Sequence, residues 1–312
     1  MELIYFILAL IGIFIGANIT IDQAIIIAKK LNLSKLFIGL TILSIGTSLP
    51  EIFTHIFSSI SEMNGVSASN VAIGTNIGSN IFQITFIIGI VSYFSKIKIN
   101  KNIISRDFLF MLFSILLLII LGYNGIISRL EGLILVSLYL FYLYKLYDIE
   151  ETFKYIKNKN QKNIFIHIIY LLIGLMFLSI SADTIVKYAV NLSKVFGIEQ
   201  SIIGVLIIGI ATGLPELTTA IEGIRKKSKD MSLGVLIGSN ITNPLMGVGI
   251  GALIVDNPIS KTIINVDLIS WLLISSLLYL MIFNKKQISK RVGITMIMLY
   301  FAFIVYKLNF IF

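Results

Sequence analysis

Apolar runs of about 20 residues, the length that crosses roughly 30 Å of hydrocarbon, recur from Leu3 almost to Phe312. Each is closed by a short polar or basic stretch. This punctuation predicts ten helical spans, at 3–28, 36–61, 66–94, 104–123, 130–147, 164–189, 200–224, 231–254, 263–283 and 292–310. Tyr123, Asn124, Gly125 and a few residues after them are all that divide the fourth span from the fifth. The first run follows Met1 and Glu2 with no basic segment before it and no small-residue cleavage site after it, which predicts a helix that is retained.

Composition places these runs in a bilayer: 57% of the 312 residues are hydrophobic and 13% charged, well outside the balance of soluble domains. The fold class is an all-α polytopic membrane protein. With no cysteine there is no disulfide, thiolate metal site or cysteine nucleophile, and only His55 and His167 offer imidazole. The formal net charge of +9 raises the question of nucleic acid. The placement of the basic residues answers it.

Alternate connections on one side carry Lys29, Lys30, Lys35, Lys96, Lys98, Lys101, Arg106, Lys145, Lys154, Lys157, Lys159, Lys162, Arg225, Lys226, Lys227, Lys229, Lys285, Lys286, Lys290 and Arg291. The other side carries Arg129, Lys187, Lys194, Lys261 and Lys307. Twenty against five is a topology signal: the basic side faces the cytoplasm of an inner or plasma membrane and both termini face outside. It is not a nucleic-acid footprint. The longest connection, 148–163, mixes Asp148, Glu150 and Glu151 with lysines and has no apolar core. It predicts a short cytoplasmic linker between halves 1–147 and 164–312.

The halves repeat. Gly39 to Phe53 reads GLTILSIGTSLPEIF and Gly204 to Thr218 reads GVLIIGIATGLPELT, at an offset of 165 residues; Gly74 to Gln83 (GTNIGSNIFQ) and Gly234 to Asn243 (GVLIGSNITN) match at an offset of 160. Five spans per half, an odd number, place the second copy upside down relative to the first. Two inverted five-helix repeats bring equivalent helix breaks together near the bilayer midplane.

Those breaks carry the polar chemistry. Pro50 and Pro215 fall midway along their spans, where each removes a backbone donor and disturbs the carbonyl four residues earlier, at Gly46 and Ala211. Glu51 and Glu216 follow directly. A charged side chain at the centre of a bilayer costs about 3 kcal/mol or more unless paired or liganded, and the basic residues lie at the ends of the spans. Thr47, Ser48, Thr212, Ser79 and Ser239 add hydroxyls; Gln83 and Asn243 lie one helical turn beyond the two serines and share their faces. Carboxylate, hydroxyl, amide and carbonyl oxygens without His or Cys form a hard-cation set suited to Ca²⁺, Mg²⁺ or Na⁺, and two carboxylates neutralise one divalent ion. Gly78 and Gly238 permit close helix contact, and Asn80 and Asn240 serve interhelical hydrogen bonds as readily as ligation. His55, one turn beyond Glu51, either lines a helix interface or tunes that acid. Asp22 and Asp183, shallower in their spans, either guide ions or face water.

The sequence GTSLPE at Gly46 to Glu51, GLPE at Gly213 to Glu216 and GSNI in each following span resemble the cation/Ca²⁺ exchanger superfamily, and within it the prokaryotic sodium/calcium exchangers, over essentially the whole chain. The resemblance implies that Glu51 and Glu216 are the main ligands of Ca²⁺ and Na⁺, with Thr47, Ser48, Ser79, Thr212 and Ser239 as hydroxyl or carbonyl donors. It also implies that the first and sixth helices slide across the rest of the bundle. Three positions depart from the usual pattern: Gln83 stands where Asn is common, Gly213 where a serine hydroxyl is expected, and Asn243 leaves no third acid, unlike the potassium-dependent branch. Lost oxygens weigh most on a state holding several Na⁺ ions.

The sequence thus predicts a secondary antiporter exchanging Ca²⁺ for Na⁺ by alternating access. It has no cofactor, its partners are inorganic cations and the lipid bilayer, and it is not an enzyme, since no nucleophile with a positioned base stands beyond the acids. The alternatives are an antiporter with altered ion choice, coupled to H⁺ or carrying Mg²⁺ or another cation, and a passive cation channel.

Overall fold

The computed structural model describes residues 2–30, 37, 39–94, 96–99, 103–151, 164–225 and 229–309. Lys35, Lys101, Lys154, Lys157, Lys159, Lys162, Lys226 and Lys227, and all of the expected linker after Glu151, lie outside them. The chain is helical almost throughout: α1 (Glu2–Lys30), α2 (Gly39–Thr47), α3 (Leu49–Met63), α4 (Ser69–Phe94), α5 (Ile103–Gly122), α6 (Arg129–Glu151), α7 (Ile164–Phe196), α8 (200–212), α9 (Leu214–Arg225), α10 (229–254), α11 (Ile263–Phe283) and α12 (Lys290–Leu308). Among the described residues eight helices are long and apolar enough to cross a membrane, or nine with α2 and α3 taken as one span bent by 49°. The α1 helix is 29 residues long.

Local chemistry sets the ends. Ser128 and Glu131 form a capping box at the start of α6: the Ser128 amide and hydroxyl donate to Glu131 Oε2 at 2.7 and 2.8 Å, and the Glu131 amide donates back to Ser128 Oγ. Glu62 accepts from the amides of Ala68 and Ser69, both at 2.8 Å, where α4 begins. The α7 helix stops at Gly197, whose φ of +65° a side chain would resist. Two boundaries differ from the sequence reading. The α6 helix runs four residues into the expected linker, to Glu151, and α7 continues past 189 to Phe196, because polar residues on one face of a helix do not interrupt its backbone.

At the centre, α4 and α10 are sheathed by protein. Every residue from Ser69 to Phe82 except Asn70 is buried, as is every residue from 232 to 245. Close approach depends on glycine. A Cβ at Gly78 would lie 2.2 Å from the Val205 carbonyl oxygen of α8, and one at Gly238 would lie 2.7 Å from Ser44 Cβ of α2. So α4 crosses the helix before the second Leu-Pro-Glu, and α10 crosses the helix before the first. A second apolar cluster, with Phe6, Ile13, Leu178 and Ile185, packs α1 against α7.

Among the described residues six π-helical turns were not foreshadowed by local pattern: Gly39–Leu43, Gln83–Ile87, Ile103–Phe108, Gly204–Ile208, Asn243–Gly247 and Ile263–Leu268. They fall in three pairs at the same offsets of 165 and 160 residues as the sequence repeat. A π turn accommodates one extra residue and re-aims the side chains beyond it. Two short antiparallel ladders tie the connections together: β1 (Ile97–Lys98) pairs with β4 (Gln287–Ile288), and β2 (Ile126–Ile127) with β3 (Asn257–Pro258). The first ladder joins two connections on the expected basic side, the second two on the basic-poor side.

Candidate cation site

The breaks between α2 and α3 and between α8 and α9 fall at Ser48 and Gly213, two residues before each proline. Backbone bonds still bracket them: the Ser48 amide donates to Ser44 O at 3.1 Å and Gly213 to Gly209 O at 3.1 Å. Past each break a threonine hydroxyl covers the proline carbonyl, Thr54 onto Pro50 O at 2.7 Å and Thr219 onto Pro215 O at 2.8 Å. Proline at the first turn of α3 and α9 loses only a donor that no helical carbonyl would have used. Glu51 and Glu216 are thereby fixed in first turns, side by side in the protein.

Both acids are fully buried. Glu51 faces the hydroxyls of Ser79 and Thr212. Glu216 faces those of Thr47 and Ser239, with Glu51 close enough to repel it. Each acid therefore meets one serine from its own half and one threonine from the other. Yet none of the four carboxylate oxygens has a partner at hydrogen-bond geometry among the described residues, and neither do Ser48 Oγ and Asn243 Oδ1. Among the described residues no lysine or arginine pairs with either acid. Buried like charges without a counterion are strongly unfavourable, whereas a bound cation would satisfy them. Among the described residues there is no group of three or more His, Cys, Asp or Glu, so further ligands to such an ion are neutral oxygens.

The remaining polar groups are tied together. Thr47 Oγ1 and Ser239 Oγ are 3.1 Å apart, and Ser239 also donates to Ser44 O at 3.3 Å. Gln83 Nε2 donates to Ser79 Oγ at 3.0 Å, Asn240 Nδ2 donates to Gln83 Oε1 at 2.9 Å, and Trp271 Nε1 donates to Asn240 Oδ1 at 3.1 Å. On the other side Asn243 Nδ2 donates to Asn80 Oδ1 at 2.8 Å, and Asn80 Nδ2 to Asn76 Oδ1 at 3.1 Å. Asn80 and Asn240 thus make interhelical hydrogen bonds. Asn76, not singled out from sequence, donates to Asn243 O at 2.8 Å and to His55 Nε2 at 3.3 Å; its spacing of four from Asn80 was the available signal. His55 is a buried member of this amide network. The Phe82 ring stands against the place of a side chain at Gly213: a Cβ there would lie 2.8 Å from Cδ1 of Phe82, so the ring would have to shift.

Other charged residues sit apart. Asp22 is exposed, and Asp183 pairs with Lys187 on α7 at 2.7 Å. Lys187 departs from the expectation that basic residues lie at the ends of spans, and Lys307, at the end of α12, keeps to it but is enclosed by protein. Lys187 lies within α7, nine residues short of its end, and Lys307 is fully buried, its Nζ 2.7 Å from Asp267 Oδ2 and 3.3 Å from Ser201 Oγ. An acid on a neighbouring helix, invisible to a count of charges along the chain, holds Lys307 inside. The equivalent acid of the first half, Asp107, is held by Arg106 at 2.8 Å and by the Tyr142 hydroxyl at 3.0 Å.

A family model described as sodium/calcium exchanger protein matches residues 1–147 and 166–309. An uncharacterized membrane protein of Methanocaldococcus jannaschii is 31% identical over 95% of this chain and 94% of its own. Sodium/calcium exchanger MaX1 of Methanosarcina acetivorans is 28% identical over 96% of each. Among solved structures, that of the sodium-calcium exchanger NCX_Mj soaked with Na⁺ and Sr²⁺ superposes with a TM-score of 0.72 at 29% identity, covering 97% of both chains.

Proposed function

Since the chain belongs to the sodium/calcium exchanger protein family, a family of membrane transporters and not of enzymes, we propose that it exchanges Ca²⁺ for Na⁺ by alternating access at a midplane site built on Glu51 and Glu216. The observation that carries this reading is the pair of buried, mutually repelling carboxylates, unpartnered by any protein donor and faced by hydroxyls from both halves. Two negative charges match one Ca²⁺, and oxygen-only ligation suits hard cations. The same cradle can be neutralised by Na⁺ ions, so the two cargoes compete for one place and cross in opposite directions. Ser48, Asn243, Thr47, Ser79, Thr212 and Ser239 complete the cradle.

The architecture belongs to the proposal. We read ten spans: α1, the bent α2–α3 pair, the broken α8–α9 pair and seven unbroken helices. They form two inverted halves, 1–147 and 164–312, joined by a cytoplasmic linker, with both termini outside the inner or plasma membrane. Its supports are the paired π turns, the reciprocal crossings at Gly78 and Gly238, and two ladders that each join connections of like sidedness. The test is ⁴⁵Ca²⁺ uptake into proteoliposomes driven by an outward Na⁺ gradient. Glu51→Gln and Glu216→Gln are each expected to lower it by about 100-fold or more, since removing one partner of a buried charge arrangement costs about 3 kcal/mol or more. Uptake that ignores the Na⁺ gradient while responding to a pH gradient would move the coupling ion to H⁺, and Ca²⁺ currents without exchange would make the protein a channel.

A further inference from the structure

The two inverted halves create two equivalent corners beside the glutamates, and these corners are furnished differently. One lies where α2 meets α10, at Ser48 and Asn243. The other lies where α8 meets α4, at Gly213 and Gln83. At the first corner Ser48 Oγ and Asn243 Oδ1 are buried and without a partner, the Asn243 amide nitrogen being turned to Asn80. At the second no free side-chain oxygen remains. Gly213 contributes none, and the Phe82 ring stands where its side chain would be. Both ends of the Gln83 amide are engaged, the nitrogen by Ser79 and the oxygen by Asn240, which Trp271 anchors in turn.

Ser79 is constrained by the same contact. A serine hydroxyl has one hydrogen and two lone pairs. Gln83 occupies one pair of the hydroxyl that Glu51 faces, so Ser79 keeps one lone pair for a cation instead of two. At position 242, which corresponds to Phe82, stands Thr242, a smaller side chain whose hydroxyl lies 2.9 Å from the Tyr139 hydroxyl.

We propose that Phe82 and Gln83 close one of two equivalent cation corners, so that the site holds one Ca²⁺ or about two Na⁺ and the exchange carries little net charge. Gln83 is a positioning residue: it acts through Ser79, and its amide hydrogens occupy the place a monovalent ion would take. The inference rests on the Ca²⁺ and Na⁺ reading above and adds the number of ions and the residues that set it.

The test is displacement of ⁴⁵Ca²⁺ by Na⁺ from the purified full-length chain. The proteins compared are the wild type, Gln83→Asn, and the double variant Phe82→Thr with Gly213→Ser, which copies residues of the open corner. The slope of displacement against Na⁺ concentration counts the ions linked to release. It is expected to be about two in the wild type and to rise toward about three in both variants, with Ca²⁺ still bound. A merely structural role for Gln83 would change Ca²⁺ affinity and leave the slope alone. A wild-type slope near three, or a slope unmoved in both variants, overturns the proposal and leaves the exchanger reading standing. Failure of the wild type to bind Ca²⁺ removes the reading beneath it and the proposal with it. Flux in proteoliposomes clamped with K⁺ and valinomycin is a second readout, expected to be insensitive to potential in the wild type; strong sensitivity there likewise overturns it.

Discussion

The helices that carry the site and the pair formed by α1 and α7 live under different physical regimes. In its most apolar stretch α10 is 89% buried by protein, whereas the corresponding stretch of α7 is 25% buried. Site helices meet backbone to backbone at Gly78 and Gly238 and are laced by amide hydrogen bonds. The α1–α7 pair packs on itself, with Gly12 against the Ser181 side chain and Gly16 against the Leu178 backbone, and turns most of its remaining surface outward. Hydrogen-bonded amide contacts specify one arrangement, while apolar contacts between small residues carry no such directional bonds. An amide-laced cradle beside a pair packed through small and apolar residues is the division of labour that the proposed alternating access would use.

Two comparisons sharpen this contrast. The largest effect is expected from equivalent ion pairs in the two regions, both 2.7 Å long. Lys307→Met strands Asp267 in the buried bundle and is expected to destabilise by about 3–5 kcal/mol in denaturant titrations in mixed micelles. Next, Gly78→Ala pushes a methyl into the Val205 backbone and is expected to cost about 1–3 kcal/mol, whereas Gly12→Ala meets only the movable Ser181 hydroxyl and is expected to cost less in the same titration. Equal losses from the two would show that the α1–α7 pair is as rigid as the cradle. The smallest effect is Lys187→Met, which removes an exposed pair on α7 and is expected to stay within about 0.5 kcal/mol. A loss as large as that of Lys307→Met would mean that α7 is packed far more closely than its exposure shows.

Much of this was legible in sequence because it is written in local terms. Hydrophobic runs gave the helices, proline after small residues gave the breaks, and repeated triplets brought Glu51 and Glu216 into correspondence. What was not legible depends on partners distant in sequence. Gln83 was readable as an amide one turn from Ser79, but its double engagement needs Asn240 and Trp271. Gly213 looked like a missing oxygen until Phe82 was found in its place. Lys307 counted among the outer basic residues because charge counting knows nothing of Asp267. The π turns have no motif; each arises where tertiary packing absorbs one residue more than an α-helix holds.

The two small ladders also bear on how the chain is made. Ile97 cannot meet Ile288, nor Ile127 meet Asn257, until most of the second half has been synthesised. At about 5–20 residues per second, the strand at Ile97 waits roughly 10–40 s for its partner. During that interval the early helices sit in the bilayer with unclosed edges and an unsheathed acid at position 51, a window in which the nascent chain depends on the insertion machinery and its quality control.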